Sequence, residues 1–423
     1  MNSNLSIFGV LFLIFILGCE EPTTLKVDIR EGSEAWRLVV DEEPFFVKGA
    51  GGSRYFERLE DAGANAIRTW DANRAGEILD SAEAHDLKVM LGLWVQHERH
   101  GFNYKDYGAV QKQWEEFREV VIKYKDHPAL LLWGVGNEVG FNRRNLETIE
   151  AVDDIAKMIQ DLDHVHPVTT VTAGVQREEI PVIMQYAPHI DFISVNSYGD
   201  IGKVDDSLSA YGYDGPYLIT EWGPDGFWES DTTDMGAPIE QSTNEKERLY
   251  YQRYMDHILN EPRCMGSFVF LWGQKQERTH SWFGMFDETG RPYGTVKAME
   301  QAWNEEPFES VTAQIRELKV EGRPFTPSAT LVGGIVASVE VEGEFEPGAK
   351  IRWELYSEST AKSTGGDPED KPQSAPWLEK GLIPTQALML TPDTSGAFRL
   401  FVTVEQNGYL SSMNVPFNII REY

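Results

Sequence analysis

Residues 130–138 of this 423-residue chain read LLLWGVGNE. The run from Leu130 to Val135 is apolar throughout, which is typical of a strand covered on both faces of a parallel sheet. Asn137 and Glu138 follow it almost directly. A glutamate at the end of such a strand must be paired, hydrogen-bonded or protonated, because an isolated buried charge is costly. The pattern therefore predicts a parallel sheet whose strands carry polar, functional residues at their carboxyl ends.

Eight strand-like runs recur along the chain with helical stretches between them, which is the βαβ pattern of a parallel sheet. Eight strands close a TIM barrel, so we predict an α/β fold of the (β/α)8 class. The runs are Phe45 to Ala50, Ala66 to Trp70, Val89 to Val95, Leu130 to Val135, Val168 to Thr172, Phe192 to Asn196, Tyr217 to Thr220 and Ser267 to Trp272. Apolar residues at helical spacing occupy Arg74 to His85, Val110 to Tyr124 and Leu146 to Leu162.

The helical pattern stops near residue 305, and short strands separated by Gly, Pro and Asp turns follow it. We predict a C-terminal, all-β, immunoglobulin-like sandwich with a polar loop from Ser357 to Gln373. Its strands are predicted at Ile335 to Val341, Ile351 to Tyr356, Phe398 to Val404 and Met413 to Ile420. The predicted domains are a signal peptide at 1–18, a tether at 19–35, a catalytic barrel with an N-terminal hairpin at 36–305, and the sandwich at 306–423.

The N-terminus carries an apolar segment, Leu5 to Leu17, that has the length of a signal-peptide core and is too short to span a bilayer. The four residues Ile16-Leu17-Gly18-Cys19 resemble a bacterial lipobox, although no Lys or Arg precedes the segment. The resemblance implies lipid attachment at Cys19 and a place in the bacterial cell envelope, as an outer-membrane or surface lipoprotein or in the periplasm. An ordinary secretory signal with an incidental cysteine is the alternative.

Composition restricts the class of partner. The chain has 68 Asp and Glu against 38 Lys and Arg, a net charge of -30. Such a surface repels nucleic acid and polyanionic glycans, so we expect a neutral partner, and contact with a membrane only through the lipid anchor. Two cysteines exclude a disulfide framework. The 12 Trp, 16 Tyr and 21 Phe supply flat rings that suit sugar faces, although most of them will be core.

A second glutamate, Glu221, ends the seventh strand-like run, as Glu138 ends the fourth. Two such carboxyl groups at one edge of a barrel are the equipment of glycoside hydrolysis, in which one protonates the leaving oxygen and the other attacks the anomeric carbon. The charge of the second raises the pKa of the first and keeps it protonated near neutral pH. Asn137 can donate to the sugar 2-hydroxyl.

These positions resemble clan A of the glycoside hydrolases, in which Asn-Glu ends strand four and Glu ends strand seven. The resemblance covers Phe45 to about Asn304. It implies that Glu138 is the acid/base and Glu221 the nucleophile of a retaining enzyme. It also implies substrate-site roles for three more residues: an arginine that hydrogen-bonds the nucleophile, an aromatic hydroxyl beside it and a platform under the reacting sugar. These are Arg68, Tyr198 and Trp272, respectively.

Within the clan, the start Phe45 to Ala50 and the motif Thr220-Glu221-Trp222-Gly223 resemble the family 2 barrel. We expect a barrel without the jelly-roll domains that family 2 places before it. A barrel followed by an immunoglobulin-like domain is closer to the endo-β-1,3-glucanases of glycoside hydrolase family 158. This narrower resemblance implies an endo-acting hydrolase of neutral β-glucan.

Long loops after the third, seventh and eighth strands carry the residues expected to bind further sugars. Trp228 and Trp282 are candidate subsite walls, and His97 is a candidate hydrogen-bond donor near the reacting sugar. The run from His97 to His100 lacks the spacing of a zinc motif, and the glycines from Gly49 to Gly52 lack the residues of a phosphate loop. We therefore expect no metal and no cofactor.

Three other functions remain open on the sequence. One is an exo-acting β-glycosidase of the family 2 type, whose site would be a pocket. Another is a β-glucan transglycosylase that uses the same two glutamates. A third, from a different class, is a catalytically inactive surface glycan-binding lipoprotein, against which the intact Asn137, Glu138, Glu221 and Arg68 argue.

Overall fold

The computed structural model describes residues 27–32, 35–362, 366–374, 378–380 and 384–421. The apolar N-terminal segment, the lipobox and Cys19 lie outside these residues. Within them, no helix combines the length and apolar character needed to cross a membrane.

A small antiparallel sheet precedes the barrel. It consists of β1 (Val27–Glu31), β2 (Trp36–Val40) and β3 (Glu43–Phe45). Asp41 and Glu42 have positive φ values of 50° and 70°, as a two-residue hairpin turn between β2 and β3 requires. The predicted tether at 19–35 was therefore wrong from Val27 to Glu31, because these five residues form β1 and pair with β2. β2 and β3 pair antiparallel as a hairpin that leads into the barrel.

Eight parallel strands close a barrel, and each bonds to the next with the last returning to the first. The fold class predicted from the sequence is confirmed. The strands are β4 (Val47–Gly52), β5 (Ala66–Arg68), β6 (Lys88–Leu93), β7 (Leu130–Val135), β8 (Val168–Ala173), β9 (Phe192–Asn196), β10 (Tyr217–Trp222) and β11 (Cys264–Trp272). The first of them starts two residues later than predicted, because Phe45 pairs with β2 in the hairpin.

In the described part of the chain, eight α-helices surround the strands. They are α1 (Phe56–Asp61), α2 (Ala75–Glu83), α3 (Tyr107–Tyr124), α4 (Glu147–Leu162), α5 (Ile180–Tyr186), α6 (Val204–Ala210), α7 (Thr243–His257) and α8 (Gly294–Trp303). Short 3-10 turns occupy Glu98–His100 and Ile201–Lys203. Local sequence sets several of the starts: the Asp106 side chain caps α3, and Ser242 and Glu245 form a capping box on α7.

The C-terminal part is a sandwich of two sheets around a separate apolar core. Its strands are β12 (Gln314–Val320), β13 (Arg323–Pro324), β14 (Thr330–Val332), β15 (Val336–Glu344), β16 (Lys350–Ser357), β17 (Leu378–Lys380), β18 (Gln386–Leu390), β19 (Gly396–Gln406) and β20 (Tyr409–Ile420). The orders are β13-β12-β15-β18-β17 and β14-β20-β19-β16.

Barrel and sandwich share a buried polar cluster. The Glu240 carboxylate, 1% exposed, lies 2.6 Å from the ammonium of Lys246. Thr279 and Ser281 donate their hydroxyls to the same carboxylate, and the Asn414 amide of β20 donates to it at 2.8 Å. A buried carboxylate with a cation and three donors is fully satisfied, so the two domains are joined by specific contacts.

Candidate active site

The candidate catalytic residues lie at the carboxyl ends of the barrel strands, where a TIM barrel carries its active site. Arg68 is the last residue of β5, and Glu221 is the penultimate residue of β10. Glu138 follows β7 by three residues and has a φ of 57°. A left-handed conformation is uncommon for a glutamate, and such backbone strain is concentrated at functional sites.

Glu221 is surrounded by donors. Its Oε1 accepts hydrogen bonds from the Arg68 guanidinium at 3.1 Å and from the Trp70 indole at 2.6 Å, and its Oε2 accepts one from the Tyr198 hydroxyl at 3.1 Å. The carboxylate is 7% exposed. Three donors and one fixed positive charge suit an anionic carboxylate that is held in one orientation. The structure places Arg68 and Tyr198 beside Glu221.

Glu138 is held differently. Its described hydrogen-bond partner is the amide of Asn196, which donates to Oε1 at 2.8 Å. Burial first, and the charge of Glu221 second, raise the pKa of Glu138 to about 7. The carboxyl is thus substantially protonated at neutral pH and can give up a proton.

One buried amide, that of Asn196, lies between Glu138 and Arg68, the arginine that donates to Glu221. Asn196 accepts from Arg68 at 3.3 Å and from the Thr220 hydroxyl at 3.0 Å through its oxygen, while its nitrogen donates to Glu138 and, at 3.1 Å, to Asn137 Oδ1. Arg68 also donates to Asn137 Oδ1, at 2.6 Å. The Asn137 oxygen is thus held by Arg68 and Asn196, and its amide nitrogen has no partner among the described residues, as expected of a group that donates to a sugar hydroxyl.

His97 lies close to this network but not in contact with the cavity. Its Nε2 is 2.7 Å from the backbone oxygen of Asn137, and its Nδ1 accepts a hydrogen bond from Arg99 at 3.0 Å. Burial, with the Arg99 charge second, lowers the pKa of His97 to about 4, so the ring is neutral and Nε2 is its donor. The prediction that His97 donates to the sugar was wrong: both nitrogens are used inside the protein, and the ring supports the Asn137–Glu138 turn.

Trp272 is also not where the sequence placed it. It is 1% exposed, stacks its edge on Phe286 and packs against Trp303 in the barrel core. The predicted role of Trp272 as a platform under the reacting sugar was therefore wrong. Phe270, two residues earlier on β11, lines the cavity that holds both glutamates, whereas Trp272 does not.

The two loop tryptophans differ in exposure. Trp228 is 51% exposed, lines the cavity and meets the Tyr198 ring edge-on at 5.4 Å. Trp282 is 2% exposed, donates its indole N–H to the backbone oxygen of Asp225 and packs on Phe283. Trp228 is therefore open to a ligand in the cavity, whereas Trp282 packs against Phe227 and Phe283 and was wrongly predicted to contact substrate.

The cavity holding both glutamates has a volume of about 1420 Å³. Its lining runs from Phe227 and Trp228, past the glutamates, to Trp94 and to the side of α3. The volume exceeds the ~300–1,000 Å³ of ordinary ligand pockets, so the cavity has room beyond a single sugar.

Two polar residues of the site were not predicted. Trp70 donates to Glu221 and lines the cavity, and Asn196 donates to Glu138 while it accepts from Arg68. Both could have been found by the rule that selected Glu138 and Glu221, because Asn196 ends β9 and Trp70 stands two residues after Arg68 on the same face.

A group of side chains of the kinds that bind metal ions lies at the surface and not at the cavity. Asp80, Glu83 and His127 bring ligand atoms within 4.8 Å of one another among the described residues. His127 already lies 3.2 Å from Asp80 and 3.9 Å from Glu83 as an ion-pair partner, and none of the three lines the cavity.

A family model for the TIM barrel domain of glycosyl hydrolases family 2 matches residues 59–280. Curated relatives include the β-glucuronidases of Sus scrofa, 28% identical over 178 residues, and of Chlorocebus aethiops, 27% identical over 180 residues. Each alignment covers 40% of this chain and 23% of the relative, so the chain matches less than a quarter of their length.

Solved structures share the fold. A β-D-glucuronidase of Dictyoglomus thermophilum superposes with a TM-score of 0.52 at 18% identity, over 66% of this chain and 54% of that one. The β-glucuronidase of Ruminococcus gnavus gives a TM-score of 0.52 at 17% identity, over 67% and 53% of the two chains. At such identities the likeness concerns the fold alone.

Proposed function

This chain belongs to glycosyl hydrolases family 2 through its TIM barrel domain. We propose that it is a retaining β-glycosidase that removes neutral sugars from the ends of saccharide chains. The observation that carries the proposal is the inequality of the two glutamates. Glu221 is held by three donors, whereas Glu138 has a pKa of about 7. An enzyme of this class needs one carboxylate and one carboxylic acid.

In the first step the carboxylate of Glu221 attacks the anomeric carbon while Glu138 passes its proton to the departing oxygen. The glycosidic bond breaks, an ester forms between Glu221 and the sugar, and the leaving group departs as an alcohol. Asn137 offers its amide to the 2-hydroxyl, where a hydrogen bond strengthens as the transition state forms.

In the second step Glu138, now ionised, takes a proton from water as the water oxygen attacks the anomeric carbon. The ester to Glu221 breaks, and the sugar leaves with its original anomeric configuration. Glu138 is protonated again and Glu221 is a carboxylate, so the cycle closes with no other reactant.

The charges around the cavity favour a neutral sugar over a glucuronate. Among the described residues, three cationic side chains line the cavity, and each has a partner in this chain. Lys275 lies 2.8 Å from Glu277, Lys112 lies 3.7 Å from Glu116, and Arg99 donates to His97. A substrate carboxylate would have to compete with these partners, in a chain of net charge -30. We therefore propose that this enzyme differs in its substrate from the β-glucuronidases that it resembles.

An endo-β-1,3-glucanase of the family 158 kind is the second candidate. The size of the cavity favours it, since endo cleavage uses binding energy from several sugars to hold the scissile bond. The family match favours removal of single terminal sugars instead. A transglycosylase would use the same two glutamates and differ only in its acceptor.

The proposed chemistry is tested with variants of the two glutamates on aryl β-glycosides. Glu221→Ala should abolish turnover, and added azide should restore it with formation of a glycosyl azide of inverted configuration. Glu138→Ala should spare substrates whose leaving group needs no proton and lose the others. Glu119→Ala, on the exposed side of α3, serves as the matched control. Equal loss on both kinds of substrate for Glu138→Ala contradicts the assignment of the acid.

The substrate is tested with a panel of aryl β-glycosides, including a β-glucuronide, and with laminarin. Monosaccharide as the first product supports the chain-end reading, whereas an early spread of oligosaccharides replaces it with the endo-β-1,3-glucanase. Products longer than the starting oligosaccharide would assign the enzyme to transglycosylation. Faster cleavage of the glucuronide than of neutral glycosides would contradict the proposed neutral sugar.

We propose that the enzyme acts at the bacterial cell envelope, held by a lipid on Cys19. The support is the sequence Ile16-Leu17-Gly18-Cys19. Cys19→Ala should move the protein from the membrane fraction to the soluble one, because a lipid chain is the proposed attachment. A soluble protein before the change would contradict the proposal.

A further inference from the structure

A segment of the β-sandwich domain reaches the mouth of the barrel. We call residues 366–369, Gly-Asp-Pro-Glu, the arch. Gly366 and Pro368 line the same cavity as Glu138 and Glu221, although they belong to the loop between β16 and β17 of the other domain. A ligand that fills the cavity therefore contacts both domains.

One foot of the arch, formed by Gly366 and Glu369, contacts the loop after β11. The backbone N–H of Gly366 donates to Glu277 Oε1 at 3.2 Å, and the backbone N–H of Arg278 donates to Glu369 Oε2 at 3.0 Å. Glu277 is 3% exposed and paired with Lys275, so this foot rests on a fixed residue. Arg278 also donates to the backbone oxygen of Ala361 in the same sandwich loop.

The other foot, Asp367, contacts the loop after β6. The carboxylate of Asp367 lies 3.1 Å from His100 Nε2 and 3.8 Å from the Arg99 guanidinium. Arg99 in turn bonds His97, and His97 bonds the backbone oxygen of Asn137. The sandwich domain is thus linked by a short series of contacts to the residue that precedes the proposed acid.

The order of the barrel strands fixes where the arch runs. In the closed barrel β4 and β5 lie between β11 and β6. A segment that is anchored on the loops after β11 and β6 must therefore cross part of the mouth. The cleft cannot be open along its whole length on that side.

We propose that the arch is a wall of the substrate site, supplied by the sandwich domain, that closes one side of the cleft and limits how many sugars bind there. The proposal rests on the proposed function and deepens it, because a cleft closed on one side admits the end of a neutral β-linked saccharide. It makes Asp367 and Glu369 positioning residues and Pro368 a specificity-determining one.

Two variants change the arch in opposite ways. The double variant Asp367→Asn with Glu369→Gln keeps the shapes of both side chains and removes the charges that hold the feet. Pro368→Trp leaves the feet in place and adds bulk to the cavity wall. Asp370→Asn is the matched control, because Asp370 is exposed in the same loop and has no described hydrogen bond or ion pair.

For the saccharide that the wild type cleaves, the double variant should raise KM about tenfold and broaden the range of product lengths, with kcat on an aryl glycoside changed less. Pro368→Trp should raise KM for long saccharides more than for aryl glycosides. Asp370→Asn should behave as the wild type. If KM and products are the same in all four proteins, the arch is not a wall of the site and the proposal is overturned.

Amide hydrogen exchange distinguishes a failure of the arch proposal from a failure of the proposed function. Without any substrate, the double variant should exchange faster than the wild type at residues 97–100, and unchanged exchange there overturns the proposal. A wild type that cleaves no glycoside of the panel refutes the proposed function alone. A β-1,3-linked glucose hexamer is then added to the wild type: protection of 366–369 supports the arch, and no protection overturns it.

Discussion

Replacing Glu221 by glutamine tests whether the two glutamates sense each other. Glutamine has the shape of glutamate and can accept from Arg68 and Trp70, but it carries no charge. The charge of Glu221 is the second of the two causes that raise the pKa of Glu138 to about 7, after burial. In Glu221→Gln the pKa of Glu138 should therefore fall.

The size of the fall follows from the order of these causes. A rise from the ordinary 4.5 to about 7 corresponds to about 3.4 kcal/mol of preference for the protonated form. Burial accounts for the larger part and is unchanged in the variant. Removing the Glu221 charge should then remove part of this preference, ~1 kcal/mol, which is about a fivefold drop in proton affinity.

The assay is a titration of the glutamate carboxyl carbons by NMR, because the variant has no turnover to follow. Burial also raises the pKa of Glu179 to about 7, so two signals titrate in the same range. Glu138→Gln removes one of them and thereby assigns it. The same change should lower the pKa of Glu179, since the charge of Glu138 contributes to raising it.

Tyr198→Phe is the control for this experiment. It removes a hydrogen bond to Glu221 and leaves the charge in place. The pKa of Glu138 should then stay close to its wild-type value. An unchanged or higher pKa of Glu138 in Glu221→Gln would refute the reasoning, because it would mean that the charges do not interact across the site.

Three further predictions follow from contacts of the site. Trp70→Phe keeps an aromatic side chain but loses the 2.6 Å hydrogen bond from the indole to Glu221. Because a hydrogen bond to a charged group is worth ~1.5–3 kcal/mol, kcat/KM should fall about 10- to 100-fold, and a smaller fall would mean that catalysis does not use this bond. Trp228→Ala should raise KM with little effect on urea unfolding, whereas Trp282→Ala should lose ~3–5 kcal/mol of unfolding free energy, and the reverse pattern would contradict their placement. Because the pKa of Glu138 is raised in the folded state, the wild type loses stability as the pH rises from the unfolded-state pKa of 4.5 through about 7, and Glu138→Gln avoids this loss. Measured by urea unfolding, the variant should be more stable than the wild type by up to ~3 kcal/mol at pH 8 and by almost nothing at pH 4, and an equal gain at both pH values would count against a buried titrating carboxyl.

The sequence was a good guide to the barrel for a physical reason. Strands covered on both faces are written as short apolar runs, and two of them, Leu130–Val135 and Phe192–Asn196, have the predicted bounds. The strand-end rule also located Glu138 and Glu221, because those positions depend on strand position alone, whereas Arg68 was assigned through the resemblance to clan A.

The rule was less informative where orientation matters. Trp272 ends its strand but points into the core, and Trp282 lies in a loop but is covered by other rings. Composition cannot separate a buried aromatic from a sugar platform, since both are large, flat and apolar. The position of His97 depended on Arg99 and on a backbone oxygen of the next strand, which no local pattern encodes.

The contribution of the sandwich domain was likewise hidden from sequence reading. The loop at 357–373 was identified as polar and as part of the sandwich, but its contacts with His100 and Arg278 join residues that lie far apart in the chain. Such pairings follow from how the domains dock, and a single sequence carries no periodic signal for docking.

The cluster around Glu240 limits how this protein can be divided or recombined. A gene fragment that ends near residue 305 would keep Glu240 and Lys246 but lose Asn414, leaving part of a buried charged group open to water. We expect the two domains to melt together and the isolated barrel to be poorly soluble, so the sandwich is not an exchangeable cassette. Exchanging the sandwich domain between homologues should succeed only when the residues of the Glu240 cluster in both domains are transferred as one unit.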